Sequence, residues 1–461
     1  MAQGRFLTGS TMGHVLRMTA TGAFGIMFVF LVDAANLLWI SQLGQPQLVA
    51  AIGFAYAIQF FSVSSGVGLM IAATALVSRR IGEDDRKAAR AQAGAALAIA
   101  AGVQGAVACI IYVLRHDLVT LAGAEGDTAR LAARYLGQTV FSLIPMAVAL
   151  IASGVLRADG YGVKAMYVTF FSGVLLMVID PIFILWWGMG LDGAALGLVL
   201  FRLCLMGLAL YFASLQLDLI GRPDWHAVAQ TLRPYMAVAL PAIATQLATP
   251  SGNYLLTIVM APFGDDAVAA WAVVGRLTVL AFGGVFALSG SIGGIFGQNF
   301  GAGHYDRLRS TYRDALIFCA VYTVIMWAVL WAVTPLVIGA FGLTGQGADV
   351  LRAFTSVGAG GFVFVGALFV ANAAFNNLGK PGRSTLLGWI KDGVLSWPAA
   401  ALLAASFGAT GVIYGQAAAG VIMGGLAALW GWRYVARLGP DVAATPPAPR
   451  PWPNPDRYRS R

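Results

Sequence analysis

The sequence predicts an all-α polytopic membrane protein: twelve transmembrane helices in two six-helix lobes, the second lobe a parallel repeat of the first. Three observations carry this. Of 461 residues, 59% are hydrophobic and 11% charged, whereas a soluble domain is about a quarter charged. The charges are bunched into short segments between long apolar runs, so lipid rather than water is the solvent for most of the surface. Residues also recur along the chain at one fixed spacing.

The apolar runs give twelve spans, at 13–41, 48–81, 86–114, 128–156, 163–187, 192–217, 233–262, 266–297, 307–338, 348–377, 382–406 and 411–437. Several exceed the roughly 20 residues that cross a bilayer, so tilt or extension past it is expected. Alternate loops are rich in basic residues: Arg79, Arg80, Arg86, Lys87 and Arg90; Arg157 and Lys164; Arg222; Arg307, Arg309 and Arg313; Lys380 and Arg383. The intervening loops are poor in them, except 115–134 with Arg115, Arg130 and Arg134. Positive charge stays on the cytoplasmic side, which puts both termini in the cytoplasm. The expected location is the cytoplasmic membrane of a bacterium. The net charge of +9 is then a topology signal spread over many loops, not a nucleic-acid patch.

The repeat is visible residue by residue. An offset of 219 takes Val49-Ala50-Ala51 to Val268-Ala269-Ala270, Gly82 to Gly301, Arg90 to Arg309 and Gly160 to Gly379. After one gap it continues from Gly193 and Gly197 to Gly411 and Gly415. An even number of spans per copy gives both copies one orientation, with the substrate path between them. The domains expected are an N-lobe over 1–217, a linker over 218–232 broken by Gly221-Arg222-Pro223, a C-lobe over 233–437 and a tail over 438–461. The tail is Pro-rich and basic and reads as disordered.

Several chemistries find no support. Cys109, Cys204 and Cys319 lie far apart in apolar runs and match no metal or disulfide spacing. None of the four histidines falls mid-membrane, so neither a histidine metal site nor a catalytic set at membrane depth is expected, and the chain is not read as an enzyme. No Gly-rich phosphate loop ending in Lys-Ser/Thr is present. No cofactor is expected.

Five segments, in order, resemble the multidrug and toxic compound extrusion (MATE) family. They are LGQPQLVAAIGF (43–54), LRADGYGVKAMY (156–167), VIDPIFIL (178–185), GQNFGAGHYDRLRSTYRDAL (297–316) and FNNLGKPGRSTL (375–386). The resemblance covers about 13–437. It implies a V-shaped pair of lobes that exports small organic, often cationic or amphipathic, compounds in exchange for H⁺ or Na⁺. It implies no cofactor, and the working unit is expected to be a monomer.

An ionisable side chain inside the hydrocarbon is a functional candidate by default. Asp33 lies about eight residues from the outer end of its span and Asp180 about seven, so both sit roughly 10–12 Å deep. Two carboxylates close together in low dielectric do not both ionise cheaply, so such a pair would hold a proton. The resemblance implies a coupling aspartate at Asp180. It places the first-helix acid on Asn36, one turn from Asp33, which leaves Asn36 as a supporting polar partner with Ser153. Asn372 is the repeat counterpart of Ser153. Pro241 is followed at the spacing of the sodium-coupled branch's glutamate by Thr249, so the chain is read as closer to the proton-coupled, DinF-like branch than to the NorM-like one. H⁺ is the expected coupling ion and Na⁺ the alternative. Helix one has Gly22 where its repeat partner has Pro241.

Arg202, Arg276, Lys391 and Asp392 are further charges at membrane depth, read as cavity-lining residues or as structural ion pairs. Trp39, Tyr56, Phe60, Phe61, Tyr254, Trp271, Phe282 and Phe286 are candidate cleft aromatics for flat organic cations, each set against ordinary packing. A lipid-linked saccharide flippase of the same superfamily is the second reading, favoured if Arg202 and Arg276 line one groove.

Overall fold

A computed structural model of the chain describes residues 4–440. Of the expected tail, residues from 441 on lie outside the described part. The described regular structure is helical throughout and forms twelve rods. In chain order these are α1 (Thr11–Ser41), α2 (Pro46–Gly82), α3 (Arg86–Leu121), α4 (Gly126–Ala158), α5 (Gly162–Trp186), α6 (Gly190–Gln216), α7 (Trp225–Met260), α8 (Asp265–Gly301), α9 (Tyr305–Phe341), α10 (Gly345–Asn377), α11 (381–407) and α12 (Ala409–Ala436). Ten are apolar enough over their length to cross a membrane. The other two are α7, which holds Pro234, Pro241 and Pro250, and α11, which holds Lys391 and Asp392.

The ends follow local chemistry. Ser10 and Asp85 cap α1 and α3, their side chains accepting from the amides of Gly13 and Ala88. Pro181 interrupts the α5 ladder, and a π-helical turn, Ile182–Trp186, follows it. A π-helical turn over Ile390–Leu395 likewise divides α11. Rods α3 and α4 run further than the hydropathy pattern indicated, to Leu121 and from Gly126. The three unexpected arginines therefore sit on helix ends, where Arg130 pairs with Asp127 at 3.1 Å and Arg134 with Asp192. Rod α7 starts at Trp225, inside the stretch read as a linker. Rod α1 is continuous through Gly22, which packs against Ala287 and Ser291 of α8.

One apolar core gathers α1–α6 with Tyr235 and Ala239 of α7, a second lies within α1–α6 and a third within α7–α12, while a fourth joins α1 to α8, α9, α10 and α12. The lobes meet through the halves of the helices nearest the termini. Gly68 of α2 packs on Ile243 of α7, and Tyr235 donates to the Leu69 carbonyl at 2.8 Å. Gly82 and Gly297 bring α2 and α8 so close that a Cβ at either would strike Gln298 or Ser78. Buried Gln298 donates to the Ala158 carbonyl at 2.7 Å and accepts from the Phe6 amide at 3.0 Å. On the opposite side the same helices expose large apolar side chains, Leu38, Phe61, Tyr254 and Leu280 among them. The result is a V: closed at the side of the termini, open at the other.

Candidate functional site

The first cluster lies inside the N-lobe, between α1, α2, α4, α5 and α6. Asp180 is almost wholly buried, 1% exposed. Its Oδ2 accepts a 2.6 Å hydrogen bond from Nδ2 of Asn36. Its Oδ1 has no partner and faces Gly197 of α6, where any Cβ would collide with it. Glycine at 197 is thus what lets α6 close over the carboxylate.

Asp33 is half-buried one turn along α1 from Asn36 and makes no hydrogen bond to another described side chain. The two acids therefore share a region without forming the direct pair that equal depth allowed. Asn36 bonds to Asp180 and not to Asp33. Asp33 lies within electrostatic range of the Arg202 guanidinium and of Tyr56.

Arg202 is buried and held by neutral partners: Nη2 donates to Oε1 of Gln59 at 2.7 Å and Nη1 to Oγ of Ser142 at 2.9 Å. Gln59 in turn donates to Thr139 Oγ1 at 2.6 Å. This chain joins α2, α4 and α6 beside the acids. Gln59, Thr139, Ser142 and Gly197 were missed by the sequence reading. A glutamine in the middle of an apolar span was the available signal for one of them.

The second cluster is in the C-lobe. Lys391 and Asp392 are both buried and pair directly. This is the structural ion pair that the sequence offered as one reading, and both residues lie on the π-helical turn. Oδ2 of Asp392 accepts from Thr249 at 3.2 Å, the α7 position where the sodium-coupled branch has its glutamate. Gly252 packs against the same aspartate.

The remaining candidates separate. Ser153 is buried and makes no bond to either N-lobe acid; Asn372 is buried with its Oδ1 unpartnered. Phe282 is not a cleft residue: it is fully buried and stacks on Phe362 with ring centres 4.2 Å apart. Phe286 packs edge-on to Phe362 and Phe369, Trp271 donates to Thr257, and Trp39 sits against the N-lobe core. Of these four, Phe282 is a packing residue and the other three are partly buried against these neighbours. Tyr56, Phe60, Phe61 and Tyr254 are exposed. Arg276 is exposed on α8 and shares no groove with buried Arg202.

Comparison with known proteins agrees with this architecture. The MatE family model matches residues 22–182 and again 241–400, so the two matches begin 219 positions apart, the spacing of the repeat. The chain is 22% identical to an FAD transporter of Shewanella oneidensis, over 91% of this chain and 94% of that one. It is 28% identical to the probable multidrug resistance protein NorM of Pseudomonas aeruginosa, over 87% and 85%. Among solved structures, the Vibrio cholerae MATE transporter VcmN in the bent form superposes with a TM-score of 0.85 at 24% identity, covering 93% of this chain and 97% of that one. A MOP superfamily transporter from Pyrococcus furiosus superposes with a TM-score of 0.87 at 20% identity, covering 95% and 98%. With the family model matched in both halves, over well more than half of its length, the chain belongs to the MATE family of multi-pass membrane transporters.

Proposed function

We propose that the protein is a proton-coupled exporter of small organic compounds that works by alternating access between its two lobes. The observation that carries this reading is the Asn36–Asp180 hydrogen bond, which ties α1 to α5 through a buried carboxylate with one oxygen still free. An ionised Asp180 accepts from the Asn36 amide. A protonated one becomes a donor as well, and the α1–α5 contact must rearrange. Asp33 supplies a second carboxyl, half-buried one turn along α1 from Asn36. A proton drives transport only if the two lobe arrangements bind it with different affinity, and this contact is where such a difference would arise. Loop charge supports termini in the cytoplasm and an open side of the V that faces outward; the working unit we propose is the single chain.

Two alternatives are weaker on this geometry. For sodium coupling through the C-lobe, Asp392 does reach Thr249, but its charge is already matched by Lys391. For a flippase, Arg202 and Arg276 would have to line one groove, and Arg202 is committed to Gln59 and Ser142.

The test is dye efflux from proteoliposomes under an imposed pH gradient or an imposed Na⁺ gradient. The pH gradient alone should drive it, and Asp180→Asn and Asp33→Asn should each reduce it at least tenfold. Full efflux in both variants, or efflux driven only by Na⁺, overturns the assignment.

A further inference from the structure

The accessible charge in the cleft is positive. Arg276 lies eleven residues from the start of α8, about 16 Å below the open side, well inside the hydrocarbon. It is exposed and has no partner among the described residues. An arginine at that depth does not face lipid; it faces water or a partner charge. Gly283 touches Met27 of α1 where the lobes meet, and Arg276 lies seven residues further out on α8, beyond the kink at Phe282.

The same construction identifies the other walls. Phe61 lies two turns outward of Gly68 on α2, and Tyr254 about three turns outward of Ile243 on α7, the pair that closes the second seam. They are 51% and 70% exposed. By contrast the acids are withdrawn. Asp180 and Asp392 are buried and bonded, and Asp33 is half-buried within range of Arg202.

Resting on the exporter reading above, we propose that the cleft takes flat aromatic compounds bearing an acidic group, with Arg276 as the anchor for that group. A guanidinium offers paired N–H donors that match a carboxylate or phosphate, and it is stronger for being out of bulk water. Phe61 and Tyr254 give the ring two aromatic faces. The family resemblance pointed to cations, and the exposed Arg276 charge has the same sign as a cation and repels it.

The test compares two xanthene dyes of similar body and opposite charge, fluorescein and rhodamine 6G, in proteoliposomes. The wild type should move fluorescein. Arg276→Ala should lower the fluorescein-to-rhodamine transport ratio at least tenfold, Arg276→Lys should recover part of it, and Arg276→Glu should favour rhodamine. Elution as a single monodisperse species certifies that each variant is folded. A ratio constant within twofold across all variants, or a wild type that moves rhodamine only, overturns the anion assignment and leaves the exporter reading intact. A wild type that moves neither dye under any gradient overturns the exporter reading, and this inference with it.

Discussion

Asn36 and Asp180, 144 positions apart in the chain, are joined by a 2.6 Å hydrogen bond inside the N-lobe, and the other oxygen of Asp180 rests unpartnered against Gly197. The bond connects α1 to α5, the rod that Pro181 interrupts. Removing the donor should uncouple the two. Asn36→Ala should cut pH-driven efflux about tenfold while leaving a folded protein, with Asn36→Ser, a shorter hydroxyl donor, losing less. Equal efflux in all three proteins would remove Asn36 from the coupling route.

Gly197 should tolerate no side chain. Gly197→Ala drives a methyl into Oδ1 of Asp180, an overpacking that costs about 1–3 kcal/mol, and efflux should fall with stability. Gly207, on the same helix, has open space at its Cβ position. Gly207→Ala should leave efflux alone and raise stability by about 0.5–1 kcal/mol through the helix backbone. Thermal unfolding in detergent separates the pair. Equal melting of both variants would remove the close approach from the account.

Lys391 and Asp392 should behave as a unit. Truncating one leaves the other charged and buried, which costs about 3–5 kcal/mol, whereas replacing both is close to neutral. Lys391→Met and Asp392→Leu should each lower the melting temperature sharply, and the double variant should recover most of the loss. Simple additivity of the two losses contradicts a direct pair.

Outside the membrane, Asp159 follows α4, buried and paired with Arg86 at 2.7 Å. Burial pushes its carboxyl above the ordinary value of 3.8, more than the Arg86 charge and hydrogen bond pull it down. The folded protein therefore takes up this proton at higher pH than the unfolded chain, and the associated stability is full below about pH 4 and lost as pH rises through the folded value. Acidifying from pH 7 toward 4 should stabilise the wild type relative to Asp159→Asn. Parallel melting curves across that range would contradict it.

The two acids and the repeat show how much was legible beforehand. Asp180 was found because an acid in an apolar run stands out, and the resemblance gave it a role. Asp33 was found the same way, but its neighbours were not. Gln59, Ser142 and Thr139 are ordinary residues until α2, α4 and α6 bring them around Arg202. The aromatic candidates divided for the same reason: Phe61 and Phe282 look alike in the sequence, yet one is half exposed and the other fully buried. The repeat also hides an exchange of helices. Asp33 maps onto Gly252 and Asp392 onto Gly173 at the 219 offset. In the C-lobe Gly252 packs on Asp392, and in the N-lobe Gly173 packs on Val32, the residue before Asp33. Each lobe sets a glycine against an acid-bearing stretch, from opposite helices.

By itself the sequence determined the solvent, the twelve rods, the duplication and the positions of the membrane-depth charges. These follow from local quantities: apolar run length, loop charge and one repeated spacing. Only the tertiary structure decided which charges are paired, which are buried and which are exposed. Those depend on helix rotation and on close approaches at Gly68, Gly197 and Gly283, set by packing between segments far apart in the chain. That is why Arg202 and Arg276, equivalent as intramembrane arginines in the sequence, end as a buried strut and an open charge.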